Sequence, residues 1–282
     1  MRDTLKKLRT ALRPLYGNRE TEAIIKLIFH YVKGWNTVDI LTHEPDTLSP
    51  FIRSEIDGIL KRLLNYEPIQ YITGEARFHG LELHVTPDVL IPRPETSELV
   101  DIIVGKAGET TDLCVLDVAT GSGCIAVALA RALLFPKVTA LDISAPALEV
   151  ARRNAADLKV KVEFIEADIF SWTPDGAKYD IIVSNPPYID ESERASMERN
   201  VLDYEPSSAL FVPDDDPLRF YRRITQLAAS ALVAGGRLYY EINPRHADQL
   251  AREIAGAGFS DVEIVKDSFG HDRFITAVKG EA

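Results

Sequence analysis

The residues best suited to chemistry lie in the segment Ser184-Asn185-Pro186-Pro187-Tyr188, which follows the apolar run 179–183. A short β-branched run that ends in a polar residue and two prolines predicts a buried strand that stops there, because proline has no N–H for a neighbouring strand. The strand would place Asn185 at its carboxyl end. The prolines restrict the backbone that follows, so we expect the Asn185 amide to be held with little freedom. A plain strand and turn is the alternative.

Composition limits the function classes. The 282 residues are 46% apolar and 27% charged, which is typical of a soluble globular protein with one large domain or two modest ones. A formal net charge of -11 argues against tight binding to naked nucleic acid, because phosphate contacts need clustered Lys and Arg. We therefore expect no direct nucleic-acid partner.

Further sequence features concern location and metal chemistry. Cys114 and Cys124 lie in apolar runs and are too few for a disulfide framework, so we expect small buried hydrophobes in a reducing cytoplasm. The sequence has no run of about 18 apolar residues, so we expect no membrane span. The basic N-terminus is not followed by the apolar core of a signal peptide. The six histidines show no metal-binding spacing, so we expect no metal.

The first 64 residues show helical periodicity. Three segments carry apolar residues at helical spacing: Leu5, Leu8, Leu12 and Leu15; Ile24, Leu27, Ile28 and Tyr31; and Ile52, Ile56, Ile59, Leu60 and Leu63. Ser49 and Pro50 fit the cap and first turn of the third helix. We assign residues 1–72 to a small helical domain that recognises the substrate, and residues 73–92, with alternating apolar residues, to a β-hairpin linker.

Residues 93–282 form the third predicted domain, in which strands and helices alternate after residue 105. Seven apolar segments predict strands at 114–118, 138–141, 162–165, 180–184, 236–242, 262–265 and 274–278. The intervening patterns predict helices at 122–134, 145–156, 218–233 and 245–255. Such alternation predicts an α/β fold with a doubly wound, mostly parallel seven-stranded sheet. The last two strands have no helix between them and would be antiparallel.

Polar residues follow three successive predicted strands. The loop 117–123, Asp-Val-Ala-Thr-Gly-Ser-Gly, lets backbone approach a ligand at a helix N-terminus, although it is neither G-x-G-x-x-G nor a Walker A loop. Asp142 can accept hydrogen bonds from ribose hydroxyls, and Asp168, flanked by Ile169 and Phe170, suits an adenine. Each aspartate alone can be a helix cap. Together they predict a nucleoside crevice for NAD or S-adenosylmethionine (SAM), and the Asn-Pro-Pro-Tyr loop favours SAM.

Five motifs in the same order resemble the bacterial release factor glutamine methyltransferases: 68–74, 90–96, 117–123, 185–188 and 204–206. The resemblance covers nearly the whole chain. It implies a class I SAM-dependent methyltransferase that transfers a methyl group to the side-chain nitrogen of the glutamine in the Gly-Gly-Gln motif of class 1 peptide chain release factors. Those release factors would be the protein partner.

The resemblance also implies the site residues. SAM would contact Ala119, Thr120, Gly121, Ser122, Gly123, Asp142, Asp168, Ile169 and Asn185. The substrate glutamine would contact Asn185, Pro186, Pro187 and Tyr188, with Asn185, Pro186 and Tyr188 as the catalytic set. The Asn185 oxygen and the Pro186 carbonyl would accept the two amide N–H bonds, while Tyr188 packs on the substrate.

Three positions depart from the family pattern. Ala119 replaces a usual glycine, which should be tolerable if its backbone is in an ordinary region. Ser97 replaces a usual glutamate, so the role of that acid is open, although Glu98 is adjacent. Residues 214–217 replace a glycine-rich turn, and we expect an exposed loop.

Three other functions fit parts of the pattern. A sister class of enzyme methylates a glutamine of a ribosomal protein with the same chemistry. A nucleic-acid adenine N6-methyltransferase also uses a polar-Pro-Pro-aromatic loop, but it would carry a basic face and act on an extruded base. A SAM-binding scaffold without catalysis would not need both Asn185 and Tyr188.

Overall fold

The computed structural model describes residues 1–43, 47–176 and 178–280. The chain divides into two compact units, one formed by Met1–Glu75 with Glu198–Tyr204 and the other by the described residues of Ala76–Met197 and Glu205–Ala282. Among the residues described, no helix is long and apolar enough to cross a membrane. The predicted domain limits of 1–72, 73–92 and 93–282 stay a prediction.

The elements of both units are numbered along the chain. The α-helices are α1 (Arg2–Lys33), α2 (Thr37–Thr42), α3 (Pro50–Leu63), α4 (Ile69–Thr73), α5 (Pro94–Ala107), α6 (Cys124–Ala132), α7 (Ala145–Asp157), α8 (Arg199–Leu202), α9 (Arg219–Ala231) and α10 (Ala247–Gly256). The strands are β1 (Glu75–Phe78), β2 (Leu81–His84), β3 (Cys114–Val118), β4 (Lys137–Asp142), β5 (Val162–Glu166), β6 (Tyr179–Ser184), β7 (Ile189–Asp190), β8 (Phe211–Val212), β9 (Leu232–Glu241), β10 (Phe259–Lys266) and β11 (Asp272–Lys279).

The first unit is built on α1. Gly17 interrupts the helical geometry of α1 with φ 69°, so the first two predicted segments are two parts of one kinked element. Their apolar faces pack with α3 and α4 around fully buried side chains such as Leu8, Ile28 and Ile56. The Ile52 N–H donates to Ser49 Oγ, which confirms the predicted cap of α3.

The second unit contains the predicted sheet. Its strand order is β10-β11-β9-β6-β3-β4-β5. β3, β4, β5, β6 and β9 are parallel, whereas β11 is antiparallel to both β9 and β10. The order reverses at β3, with β4 and β5 on one side and β6 and β9 on the other. The doubly wound, mostly parallel seven-stranded sheet is therefore confirmed, with its antiparallel last pair.

Helices cover both faces of this sheet. Side chains alternate along each strand, so Val115 packs with α5 and α6 while Leu116 packs with α9 and α10. The β1–β2 hairpin joins the first of these cores through Phe78, Leu81 and Leu83. Both cores consist of closely packed apolar side chains, which hold the strand ends as a base for the loops that follow them.

Two predicted boundaries were wrong in an informative way. α6 begins at Cys124 rather than at 122, because Gly121 and Gly123 have positive φ and cannot be part of a helix. β9 begins at Leu232 rather than at 236, because Leu232 already pairs with Tyr179 of β6, before a shift in register that ends where Arg237 pairs with Ile181.

Candidate active site

A cavity of about 350 Å³ lies at the carboxyl ends of the parallel strands, within the second unit. Its walls are the loops after β3, β4, β5 and β6 together with residues at the start of α5 and on α9. The volume is within the range of small-molecule sites. The position is where a doubly wound sheet binds ligands, because the loops on the two sides of β3 diverge there.

The loop after β3 depends on left-handed backbone. The φ angles of Ala119, Gly121 and Gly123 are 59°, 55° and 76°. The condition under which alanine would be tolerated at 119, an ordinary backbone region, is therefore not met: the tight turn from β3 into α6 has left-handed backbone there, at a cost of about 1–2 kcal/mol for alanine. Gly123 is also needed for space, since a Cβ at that position would lie 3.0 Å from Ala151 Cβ.

Two distant side chains hold this loop by its backbone. Asp142 Oδ2 accepts the Gly121 N–H at 2.8 Å, and its Oδ1 accepts the Ser144 N–H at 2.9 Å. Asn154 on α7 donates through Nδ2 to the Ser122 carbonyl at 2.9 Å. Burial raises the pKa of Asp142, and the backbone N–H bonds oppose that rise. Each carboxylate oxygen has a second lone pair, so Asp142 can still accept a ribose hydroxyl.

Asp168 combines a local role with a position on the cavity wall. Its Oδ1 accepts the Phe170 N–H at 2.9 Å, which closes the turn after β5. Asp168, Ile169 and Phe170 all line the cavity, and the Arg219 guanidinium lies 4.7 Å from the centre of the Phe170 ring. The turn thus presents a carboxylate between apolar groups, as the adenine prediction requires.

Asp117 supports the β3 loop from inside the protein. Its Oδ2 accepts from Thr120 Oγ1 at 2.5 Å and from the Ala126 N–H at 3.2 Å, whereas Oδ1 is buried without a hydrogen-bond partner in the described part of the chain. Burial raises the pKa of Asp117 to about 7. Asp117 therefore stabilises the loop and the start of α6 but does not line the cavity.

The loop after β6 is held by side chains from other elements. Asn185 lines the cavity, and its Nδ2 donates to Thr96 Oγ1 on α5 at 3.4 Å. Asn243 Nδ2, just beyond β9, donates to the Tyr188 carbonyl at 3.1 Å. Pro186 is buried and Pro187 lines the cavity. Both ends of the Asn-Pro-Pro-Tyr loop are thus anchored, and the Asn185 oxygen remains available as an acceptor.

A buried carboxylate, Glu241, lies behind this loop. Its Oε2 accepts from Thr96 Oγ1 at 2.6 Å and its Oε1 accepts from the Tyr188 hydroxyl at 3.1 Å. Burial raises the pKa of Glu241, while the two O–H donors act in the opposite direction. Burial also raises the pKa of Tyr188 far above its usual value, so the phenol is a neutral donor.

Comparison with known proteins gives close relatives along the whole chain. Release factor glutamine methyltransferases of Bacteroides thetaiotaomicron and Flavobacterium psychrophilum are 47% and 39% identical to it, over 96% and 94% of this chain and 97% and 94% of theirs. The family models "PrmC N-terminal domain" and "Methyltransferase small domain" match residues 3–74 and 100–203.

The chain belongs to the release factor glutamine methyltransferase family. It is therefore an enzyme, a SAM-dependent methyltransferase, as the sequence motifs predicted. Solved structures agree on the class I fold. A Pyrococcus furiosus methyltransferase has a TM-score of 0.53 at 19% identity, covering 80% of this chain and 100% of that one. The T. thermophilus 16S rRNA N2 G1207 methyltransferase, in complex with AdoMet and guanosine, has a TM-score of 0.52 at 20% identity, covering 73% and 49%.

The cavity of this methyltransferase fits SAM. The charged side chains that line it are Asp88, Asp142, Asp168 and Arg93. SAM carries a sulfonium, an ammonium and one carboxylate, so three acids and one guanidinium complement its charges. Apolar groups make up most of the remaining wall and suit the faces of the adenine.

The structure brings most of the predicted site residues together. The cavity is lined by Ala119, Thr120, Gly121, Ser122, Asp142, Asp168, Ile169, Asn185 and Pro187. Gly123, Pro186 and Tyr188 lie outside its lining: Gly123 caps α6, Pro186 is buried, and the Tyr188 hydroxyl is turned to Glu241. The role of each residue in binding or catalysis stays a prediction.

Sequence reasoning gave no role to three residues beside the cavity. Thr96 and Arg93 line it, and Arg93 Nη2 binds buried Glu205, which also accepts the Ile91 N–H at 3.1 Å. Both segments, 90–96 and 204–206, belong to the motifs that resemble the family, but the motifs alone assign these residues no function. Their residue types could have indicated a role. Thr96 lies on the apolar side of a helix and Arg93 lies between two prolines, and both are polar groups that need partners if they are buried.

Glu98, the acid next to Ser97, makes a structural contact. Glu98, one position later, accepts from the Ser268 N–H and from Ser268 Oγ at 2.9 and 2.8 Å. It thereby ties α5 to the turn between β10 and β11. Glu98 is a structural contact of this turn and does not line the cavity.

Proposed function

We propose that this enzyme methylates the side-chain amide nitrogen of the glutamine in the Gly-Gly-Gln motif of class 1 peptide chain release factors. The names of its relatives support a release factor as the substrate. The observation that carries the proposal is the Asn185 amide on the cavity wall, whose Nδ2 is engaged by Thr96 and whose Oδ1 is left to accept. The proposal includes the cytoplasmic location expected from the sequence.

The chemistry requires positioning. An amide nitrogen is a poor nucleophile, because its lone pair is delocalised into the carbonyl. SAM supplies an activated methyl group on its sulfonium. Asn185 Oδ1 and the Pro186 carbonyl would accept the two N–H bonds of the glutamine, which orients its nitrogen towards the cofactor side of the cavity. Orientation of this kind contributes on the order of 7 kcal/mol to catalysis.

Glutamine rather than a charged residue suits this arrangement. Two acceptors that face one nitrogen select a group with two N–H donors, and a carboxylate in the same place would be repelled by both oxygens. Asn185 on the cavity wall offers one acceptor, and the carbonyl of the adjacent buried Pro186 would offer the other. An adenine exocyclic amine also has two N–H donors, so the two acceptors alone do not distinguish glutamine from adenine.

The substrate class is tested by supplying labelled SAM to the purified enzyme with separate pools of release factors, ribosomal proteins and nucleic acid. We expect label in the release factor pool. Label confined to ribosomal proteins would assign the chain to the sister glutamine chemistry, and label in nucleic acid would replace the proposal by an adenine methyltransferase. The net charge of -11 favours the protein pools.

A further inference from the structure

A network of four side chains, here called the orienting network, lies behind the catalytic loop: Thr96, Asn185, Tyr188 and Glu241. Thr96 and Glu241 are 1% and 2% exposed. Thr96 lies on α5 and Glu241 at the end of β9, two elements of the second unit that are far apart in the sequence. Glu241 has no proposed contact with the cofactor or the substrate. A buried carboxylate needs hydrogen-bond donors, and those of Glu241 are two hydroxyl groups.

The direction of each hydrogen bond in this network is fixed by proton count. Both oxygens of Glu241 accept from hydroxyl groups, Oε1 from Tyr188 and Oε2 from Thr96 at 2.6 Å, so the single hydroxyl proton of Thr96 points to Glu241. Thr96 Oγ1 can then only accept from Asn185. The Asn185 amide must therefore turn its NH₂ towards Thr96, and its oxygen is left for the substrate.

The reverse orientation of Asn185 would place two acceptors, Oδ1 and Thr96 Oγ1, against each other. It would also present an NH₂ group to the NH₂ group of a substrate glutamine. An Asn amide has nearly the same shape in both orientations, so packing alone does not choose between them. Glu241 makes the choice through Thr96.

Burial and geometry agree with this role. The Asn185 Nδ2 to Thr96 Oγ1 distance of 3.4 Å is at the long end for a hydrogen bond, as is usual for catalytic contacts before substrate binds. The second oxygen of Glu241 accepts from Tyr188 at the other end of the loop. One carboxylate thus positions side chains at both ends of Asn185–Tyr188.

We propose that Thr96 and Glu241 are positioning residues that set the amide orientation of Asn185, so that its oxygen accepts an N–H of the substrate. Neither residue would touch the glutamine. This inference rests on the proposed function for its kinetic consequence, but the orientation of Asn185 can be measured without any substrate.

The kinetic test uses Thr96→Val, which keeps the shape and removes the hydroxyl, and Thr96→Ser, which restores it. We expect Thr96→Val to lower kcat by about 100-fold, with SAM affinity unchanged, and Thr96→Ser to recover most of the rate. The matched control is Thr225→Val, another buried threonine, whose Oγ1 lies 3.0 Å from the Tyr240 hydroxyl, and it should keep wild-type turnover. Equal rates for Thr96→Val and Thr96→Ser would overturn the inference.

Glu241→Gln provides an independent arm. The amide leaves one accepting oxygen for two hydroxyl donors, so one of the two contacts is lost. We expect a fall in kcat smaller than that of Thr96→Val. Wild-type turnover in Glu241→Gln at unchanged substrate concentration would contradict the role of Glu241.

The structural test needs no substrate. The chain has seven asparagines, so selective ¹⁵N labelling gives seven side-chain NH₂ pairs, and Asn185→Asp identifies the pair of Asn185. We expect Thr96→Val to shift that pair and speed its hydrogen exchange, and Thr96→Ser to leave it near wild type. If the NH₂ signals of Asn185 are unchanged in Thr96→Val, the inference is refuted, whichever glutamine the enzyme methylates. Failure of the proposed function would instead appear only as label in a pool other than the release factors.

Discussion

Two loops that line the cavity, one after β3 and one after the neighbouring strand β6, are fixed in different ways. The Ala119–Gly123 loop presents its own backbone, and the side chains of Asp142 and Asn154 hold it by a backbone N–H and a carbonyl. The loop after β6 presents the side chain of Asn185, which Thr96 holds. A backbone site needs unusual φ angles, whereas a side-chain site needs hydrogen-bond partners of the right polarity.

The difference separates two kinds of loss. Damage to the Asn185 loop should affect methyl transfer with little effect on SAM binding, since its proposed function is the orientation of one amide. Damage to the Ala119–Gly123 loop should affect SAM binding and folding together, because the same backbone does both. The following variants test this separation, from the largest expected effect to the smallest.

Asn185→Ala should have the largest effect. It removes one of the two acceptors proposed for the substrate amide, and we expect kcat to fall by about 100- to 1,000-fold, as for the loss of one oriented hydrogen-bond group. Calorimetry should give a SAM Kd within a few-fold of wild type. Asn200→Ala, an asparagine of the first unit outside the cavity lining, is the control. Near-normal turnover of Asn185→Ala would remove Asn185 from the catalytic set.

Asp142→Asn should affect the Ala119–Gly123 loop. The amide cannot accept from both the Gly121 and Ser144 N–H groups and from a ribose, so we expect SAM binding to weaken by about 2 kcal/mol, or roughly 30-fold in Kd. Exposed Asp157→Asn on α7 is the control for loss of charge. An unchanged SAM affinity would refute the ribose role.

Asp142 also gives a pH dependence. Burial raises its pKa in the free enzyme, so the carboxylate takes up a proton at a higher pH than an ordinary aspartate does. If the ionised form binds SAM, affinity should fall as the pH is lowered through that raised pKa, and this loss should be absent in Asp142→Asn. Titration calorimetry at several pH values measures the difference between the two proteins.

Gly123→Ala should destabilise the fold. The left-handed backbone costs alanine about 1–2 kcal/mol, and the new Cβ would also lie 3.0 Å from Ala151 Cβ. Gly176→Ala is the matched control, with φ +71° and nothing within 4 Å of its Cβ. Denaturant unfolding should give the larger loss for Gly123→Ala. Equal losses would mean that the Ala151 contact has no energetic consequence.

Ala119→Gly should have the smallest effect, in the opposite direction. Glycine relieves the left-handed strain at φ 59° but has more freedom in the unfolded chain, so we expect a gain of up to about 1 kcal/mol in the free energy of unfolding. SAM affinity should not fall. Lower stability than wild type would show that Ala119 is unstrained.

The sequence predicted the parts of the molecule that depend on local patterns. Apolar runs located the seven strands, and polar residues at their ends located Asp142, Asp168 and Asn185 on the cavity. The predictions for these residues succeed because the carboxyl ends of parallel strands meet at one edge of the sheet. A residue that directly follows such a strand therefore lies near the others.

Local sequence patterns do not predict hydrogen-bond partners that come from distant segments. Thr96 and Glu241 are 145 positions apart, and neither segment carries a pattern that names the other. The left-handed conformation of Ala119 was also missed, because alanine gives no sign of positive φ. Periodicity reports which face of an element is buried, whereas hydrogen-bond pairing depends on how separate elements meet.

The most direct test of the proposed activity is tandem mass spectrometry of a class 1 release factor after incubation with the enzyme and SAM. The account predicts one added methyl group, on the side-chain amide of the glutamine in Gly-Gly-Gln, formed by wild type and not by Asn185→Ala at the same incubation time. A methyl group on any other residue, or equal modification of that glutamine by Asn185→Ala, would contradict it.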